Sequence, residues 1–203
     1  MISGPDGTGK STITNALLDY YKQQNLKAET VWLRFNHYIA KFVNIVGRLL
    51  GKSYYEEYSW GKVGYHDYQG MIGYFYIFAV YCDHLIFRYF IRTKYLDRNN
   101  MDVLIIDRYI LDIMADLIVD TAKKDLVITL FSPFFYKEQK HSEVFILKCN
   151  EKIVMSRRKD IKDDKSYKAK VEAYDFLAKT LSIQELDTGV MSVNELVKFI
   201  AKA

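Results

Sequence analysis

The sequence predicts an α/β fold, a parallel sheet covered by helices on both faces. Two observations lead there. Short apolar runs of strand length alternate along the chain with longer stretches whose apolar residues recur at helical spacing. Parallel strands joined through such helices form a sheet flanked on both sides. The second observation is a glycine-rich run, Gly4-Pro5-Asp6-Gly7-Thr8-Gly9-Lys10-Ser11, set between the first apolar residues and the first helix. The 203 residues suffice for one domain with a substantial core. No repeat, low-complexity tract or Pro/Gly-rich linker divides them, so residues 1–203 read as a single domain.

Taken in order, Ile13, Ala16, Leu17, Tyr20 and Tyr21 mark a helix from Ser11 to about Asn25. Thr30–Leu33 has the length of a short buried strand. Lys41–Leu50 is helical, with Phe42, Ile45, Val46 and Leu49 on one face, and the Gly-, Ser- and Tyr-containing stretch Gly51–Tyr65 reads as a loop. A long helix runs from about Tyr68 to Leu96 and is broken at Asn99-Asn100. Val103–Ile106 is the clearest strand. Ile110, Ile113, Met114, Leu117 and Ile118 mark the next helix, and Val144–Leu147 a further strand. A charged helix-and-loop region spans Glu151–Lys165. A helix through Tyr167, Val171, Tyr174 and Leu181 follows, then a strand at Ile183–Leu186 and a helix through Val193, Leu196, Val197 and Ile200. In parallel sheets ligands sit at the carboxyl ends of strands. That directs attention to Gly4, Arg34, Asp107, Cys149 and Asp187.

Composition narrows the function. A net charge of +4 suits a phosphate-bearing partner, and no basic run of the kind used to hold nucleic acid occurs. The most apolar stretch, Met71–Cys82, is too short for a bilayer span, so no membrane partner is expected. Cys82 and Cys149 are far apart and lack metal-ligand spacing, which fits a reducing, cytoplasmic setting with both thiols packed as small hydrophobes. Tyr and Phe are abundant and are expected mostly in the core.

The run Gly4–Ser11 matches G-x-x-x-x-G-K-[ST], the P-loop. Its glycines let successive backbone N–H groups of Gly4, Asp6, Gly7, Thr8 and Gly9 turn towards an anion, and the helix N-terminus beyond adds its positive end. Lys10 is placed to reach the β- and γ-phosphates of ATP, and Ser11, followed by Thr12, to hold Mg2+. Only three residues precede Gly4, fewer than a strand of ordinary length needs. Either the first strand is very short or the natural chain begins upstream of Met1.

Asp107 ends the apolar strand Val103–Ile106. A strand neighbouring the P-loop strand would bring its carboxylate towards the Mg2+ at Ser11. Arg108 follows as a fixed cation suited to gripping a phosphate. Asp112 and Asp116 share a helix face beyond it, near the metal or in solvent.

The GPDGTGKST of Gly4–Thr12 and the Asp107-Arg108-Tyr109 triplet resemble the P-loop and DR(Y/H) motif of thymidylate kinases, and the order of elements agrees from Met1 to about Ile200. The resemblance implies a P-loop NTPase fold with a five-stranded parallel sheet and a mobile lid. It also implies phosphoryl transfer from ATP to a nucleoside monophosphate, dTMP to dTDP first among them, and a homodimer. Position by position, Lys10 and Ser11 would hold ATP and magnesium, Asp6 would face the acceptor sugar, and Asp107 would assist the metal. Arg108, with Tyr109 beside it, would grip the acceptor phosphate, helped by Arg34, although Phe35-Asn36-His37 replaces the family's Glu-Pro-Gly-Gly continuation.

Some relatives place a catalytic arginine inside the P-loop, where this chain has Gly7. The charge is then expected from the lid, roughly residues 156–166, through Arg157 or Arg158; from Arg157 to Lys165 five basic residues face three acidic ones. Tyr74, Phe75, Tyr76, Phe78 and Tyr81 are available to stack a base, but the family's arginine one turn later is absent; Asp83 and His84 could read a base or sit satisfied in the core. Two other readings stand beside this one. One is a P-loop kinase for a nucleoside or other small acceptor. The other is an ATP-binding regulatory protein without turnover. A GTPase would need N-K-x-D, and the nearest string is Ala122-Lys123-Lys124-Asp125.

Overall fold

The computed structural model describes residues 1–33, 38–58, 61–91 and 101–202. Its elements are β1 (Ile2–Ser3), α1 (Lys10–Gln23), β2 (Ala28–Trp32), α2 (Ala40–Leu49), β3 (Ser53–Tyr58), β4 (Gly61–His66), α3 (Met71–Ile91), β5 (Val103–Asp107), α4 (Ile110–Thr121), α5 (Lys124–Gln139), β6 (Phe145–Lys148), α6 (Glu151–Arg157), a 3-10 turn (Lys159–Asp163), α7 (Tyr167–Thr180), β7 (Gln184–Asp187) and α8 (Val193–Ile200). Among the described residues five strands form a wholly parallel sheet, order β2-β5-β1-β6-β7, flanked by helices. The expected α/β architecture is therefore present, with each strand of the sheet within a residue or two of its expected position.

Two compact units make up the chain. The first comprises Met1–Arg34, Asn100–Asp112 and Phe134–Ala203, and holds the sheet. Its core joins Ile2, Ile105, Phe145, Leu147 and Leu186 from the strands to Ile13 and Leu17 of α1 and Leu196 and Val197 of α8. Strands buried on both faces read as continuous apolar runs, which is why β5 and β6 stand out in the sequence. Although only two residues long, β1 is the central strand. Ile2 is in register with Asp107 on one side and Phe145 on the other. The loop after β1 thus emerges between the ends of β5 and β6.

The second unit comprises Phe35–Asn99 and Ile113–Pro133. The segment expected as a loop, Gly51–Tyr65, is instead largely an antiparallel hairpin of β3 and β4, pairing Ser53 with His66 through Tyr58 with Gly61. Cross-strand contacts account for it. The Tyr54 and Tyr65 rings lie 5.7 Å apart, and Lys62 Nζ is 2.9 Å from Glu57 Oε1. Gly and Ser in the sequence disguise this alternation. Tyr68, fully buried, donates its hydroxyl to Asn44 Oδ1 at 2.8 Å. Asp83 is fully buried too, and its carboxylate accepts the backbone N–H groups of Tyr38, Ile39 and Ala40 at the start of α2. His84 is packed in the same interior, 5.9 Å ring to ring from Phe131. Both residues are therefore structural members of this unit.

The α2 helix forms as its periodicity predicts, yet Phe42, Ile45, Val46 and Leu49 are exposed, Leu49 by 82 %. A further helix, α5, crosses Pro133, which the sequence reading does not anticipate. The break at Asn99-Asn100 and the end of the long helix near Leu96 lie outside the described residues. Among the described residues no helix is long and apolar enough to cross a membrane. Cys82 and Cys149 are free thiols, each only partly buried.

Candidate functional site

All of the geometry that follows lies within the first unit. The glycine-rich loop spans the gap between β1 and α1, and its shape is set by glycines at positive φ. At Gly4 (φ 144°) a Cβ would strike the Leu147 carbonyl oxygen of β6. At Gly7 (φ 80°) a Cβ would lie 2.6 Å from Val154 Cγ1 and 2.7 Å from Ile161 Cδ1. The space beside Gly7 is thus closed by α6 and the 3-10 turn, which pack there as a small apolar cluster with Tyr167. The loop is also tied internally, Thr8 Oγ1 donating to Pro5 O at 2.8 Å.

Lys10, the first residue of α1, turns its buried ammonium back into the loop, donating to Gly4 O and Pro5 O, each at 2.6 Å. Asp6 Oδ1 is 3.9 Å from it. Burial, reinforced by the charge of Arg108, lowers the Lys10 pKa to about 8. Ser11 and Thr12 are exposed on the first turn of α1.

Asp107 ends β5 beside Ile2, and Arg108 N donates to Ile2 O at 3.0 Å. Arg108 has φ 64°, the left-handed region that a residue with a Cβ seldom adopts. The turn sends its guanidinium between two carboxylates. One Nη bonds Asp6 Oδ1, and the other is 3.4 Å from Asp112 Oδ1. Burial alone would raise the Asp6 pKa, but Arg108 and then Lys10 outweigh it and hold the carboxyl well below its usual range. Burial works against the charged form of Arg108 as well, and Asp6 and Asp112 more than offset it. Asp107 is different: burial raises its pKa against the pull of Arg108 and Lys10, and its Oδ1 is buried with no hydrogen-bond partner. An acceptor oxygen left unsatisfied beside two cations is suited to a metal ion or an ordered water.

Asp112 is 4 % exposed and its carboxylate is fully engaged. It accepts from Ser3 Oγ (2.8 Å), Tyr174 OH (2.7 Å), Tyr109 N (3.2 Å) and Arg108. Of the two placements open to it from the sequence, the solvated one does not hold; Asp112 is buried and meets Arg108.

On the opposite side of the loop, Thr188 follows β7 and donates Oγ1 to Thr8 O at 2.8 Å. Arg157 Nη2 donates to Thr188 O at 3.2 Å, and its Nη1 lies 3.7 Å from Cys149 Sγ. Arg158 pairs with Asp160, and its charge is felt at Asp6 and Arg108. The structure therefore gathers Gly4, Asp6, Gly7, Thr8, Gly9, Lys10, Asp107, Arg108 and Tyr109 at one end of the sheet. Tyr109 is buried and meets this site through its backbone N–H. Phe75 and Phe78 belong to the second unit, where they are 63 % and 64 % exposed. Arg34 lies outside the described residues. Asp112, raised from the sequence as lying near the metal or in solvent, is part of the site, and Ser3, Tyr174 and Thr188, which the sequence does not single out, complete it. Thr188 alone carried a signal, since it follows the strand-end residue Asp187.

Compared with models of known protein families and with curated proteins, the chain matches neither.

Proposed function

We propose that the chain is a P-loop phosphotransferase that moves the terminal phosphoryl group of ATP to a nucleoside monophosphate, with dTMP as the first acceptor to try. The observation that carries the reading is the meeting of Arg108, from the end of β5, with Asp6 inside the glycine-rich loop. An anion cradle and a second fixed cation then share one site, as transfer between two phosphates requires. A kinase acting on an uncharged acceptor would give Arg108 no acceptor anion to take in exchange for Asp6.

In this reading the contacts that Lys10 makes to Gly4 O and Pro5 O are exchanged for phosphate oxygens of the donor. Arg108 exchanges Asp6 for the acceptor phosphate, which releases the Asp6 carboxylate to the acceptor sugar. Asp107, with its unpartnered Oδ1, and the exposed Ser11 hydroxyl suit Mg2+ bound with ATP, which would neutralise charge on the phosphate oxygens. The segment of roughly residues 156–166, the end of α6 with the 3-10 turn, serves as the lid. Of its two arginines, Arg158 is the candidate for the transition-state charge, because its field already reaches Asp6 and Arg108. Arg157 instead ties the lid base to Thr188.

The test is ADP release from Mg-ATP with each nucleoside monophosphate and each nucleoside in turn, with Lys10→Ala as the control. Acceptor-dependent release with a monophosphate, lost in Lys10→Ala, is the expected result. Release with nucleosides alone replaces the acceptor class. ATP binding with no acceptor-dependent release overturns the kinase reading in favour of a nucleotide-binding regulatory protein.

A further inference from the structure

The two carboxylates that hold Arg108 are not equivalent. Asp6 stands on the glycine-rich loop, its side chain 31 % exposed, and its partners are the two cations Arg108 and Lys10. Asp112 is buried and receives three neutral donors from three separate parts of the first unit: Ser3 Oγ on β1, Tyr109 N in the turn after β5, and Tyr174 OH on α7. Two of those donors fix Oδ2 and one fixes Oδ1, which leaves Oδ1 a place for Arg108. A carboxylate held this way cannot follow a moving guanidinium, whereas one on a loop can let it go.

We propose that Asp112 is a positioning residue that fixes the Arg108 guanidinium at the mouth of the glycine-rich loop, with Ser3 and Tyr174 locking its carboxylate. An incoming anion then displaces Asp6 and leaves the Asp112 contact in place. The left-handed backbone of Arg108 is consistent with this division of labour. The turn directs the side chain back across its own helix start, and Asp112, four residues on, is the fixed wall it meets. A long arginine side chain otherwise loses several rotamers on ordering. Paying that cost in the unliganded protein leaves less to be lost when an anion binds.

The proposal deepens the phosphotransferase reading, and its kinetic arm rests on it; its spectroscopic arm does not. In the 203-residue chain labelled with 15N, the Arg108 side-chain Nε–H signal is identified by its disappearance in Arg108→Lys. A sharp, resolved signal is expected in the wild type and in Asp6→Asn. In Asp112→Asn, which keeps the shape but loses the charge, it is expected to broaden or move to the position of free arginines. If Asp112→Asn does not fold, Tyr174→Phe keeps the ring, removes one donor to Asp112 and is expected to shift the same signal. A signal unchanged in a folded Asp112→Asn, or in Tyr174→Phe where the former is unfolded, overturns the proposal.

In the kinetic arm, Asp112→Asn is expected to lower kcat/KM for the acceptor about 100-fold, as misplacing a substrate-positioning group does, with KM for ATP little changed. In an Arg108→Ala background the same change should cost nothing further, because what it positions is gone. Independent, multiplying losses would show a merely structural role and also overturn the proposal. A wild type that shows no acceptor-dependent turnover defeats the kinase reading, and the Nε–H signal still decides the role of Asp112.

Discussion

Replacing Gly7 by alanine adds one methyl group where two side chains already stand. Its Cβ would be 2.6 Å from Val154 Cγ1 and 2.7 Å from Ile161 Cδ1, against the 3.4 Å or more of ordinary contact. Neither neighbour yields easily. Val154 is fully buried and β-branched, hence stiff about χ1, and Ile161 is 4 % exposed. Two costs add. A residue with a Cβ at φ 80° is strained by about 1–2 kcal/mol, and overpacking a filled interior costs about 1–3 kcal/mol more. A loss of about 3 kcal/mol is expected, which at a urea slope of about 2 kcal/mol/M moves the unfolding midpoint down by roughly 1.5 M. Gly70→Ala is the matched control. Gly70 has φ 74°, but a Cβ there meets nothing within 4 Å, so it reports the backbone strain without the clash. Urea titration of the three proteins by circular dichroism separates the two costs. If Gly7→Ala loses no more than Gly70→Ala, the apolar wall against the loop is not closed.

Further predictions follow from burial and charge. Burial, helped by the charge of Arg88, lowers the His84 pKa from its ordinary 6.5 to about 4. Between those values the unfolded chain takes up a proton that the fold refuses, so stability holds above pH 6.5 and falls as pH drops towards 4. The loss is about 3 kcal/mol at most and is absent in a His84→Phe variant that folds. A second loss is expected below the ordinary carboxylate value of 3.8, where the unfolded chain protonates Asp6 while Arg108 and Lys10 keep it ionised in the fold; Asp6→Asn abolishes that lower step in an acid titration. Phe75→Ala and Phe78→Ala remove exposed rings, so urea unfolding midpoints should change little; a large loss in either would show that the ring is packed rather than exposed. Arg158→Ala should lower kcat about 100-fold or more with ATP affinity retained, and Arg157→Ala should act chiefly on ATP binding through Thr188; the reverse pattern would exchange their assignments.

What the sequence discloses depends on how local each signal is. The glycine-rich loop is legible because its chemistry lies in consecutive residues, and β5 because a strand covered on both faces is apolar throughout. The α2 helix shows the other side of periodicity. Spacing locates an apolar face but says nothing of what covers it, and Phe42 and Leu49 are exposed. The β3–β4 hairpin is hidden because its stability lies in cross-strand pairs, such as Tyr54 with Tyr65, that no single-strand pattern reveals. In α5, Pro133 interrupts the pattern without ending the helix.

Asp112 is the most instructive case. By helical spacing it shares a face with Asp116, and the pattern treats them alike. The fold separates them. Asp112 is claimed by Ser3, 109 residues away, and by Tyr174, 62 residues away, both inside the first unit. Asp116 falls in the second unit. The distinction rests on contacts between distant segments, brought together because the central position of β1 sets the loop between the ends of β5 and β6. Arg108 then approaches the loop from the β5 side, and Thr188, with Arg157 behind it, from the β7 side. A short motif supplies the cradle, and the strand order supplies the cations around it. In the proposed reading the motif marks only the site for a donor's anion, while the acceptor side of the transfer is written in residues the motif does not contain.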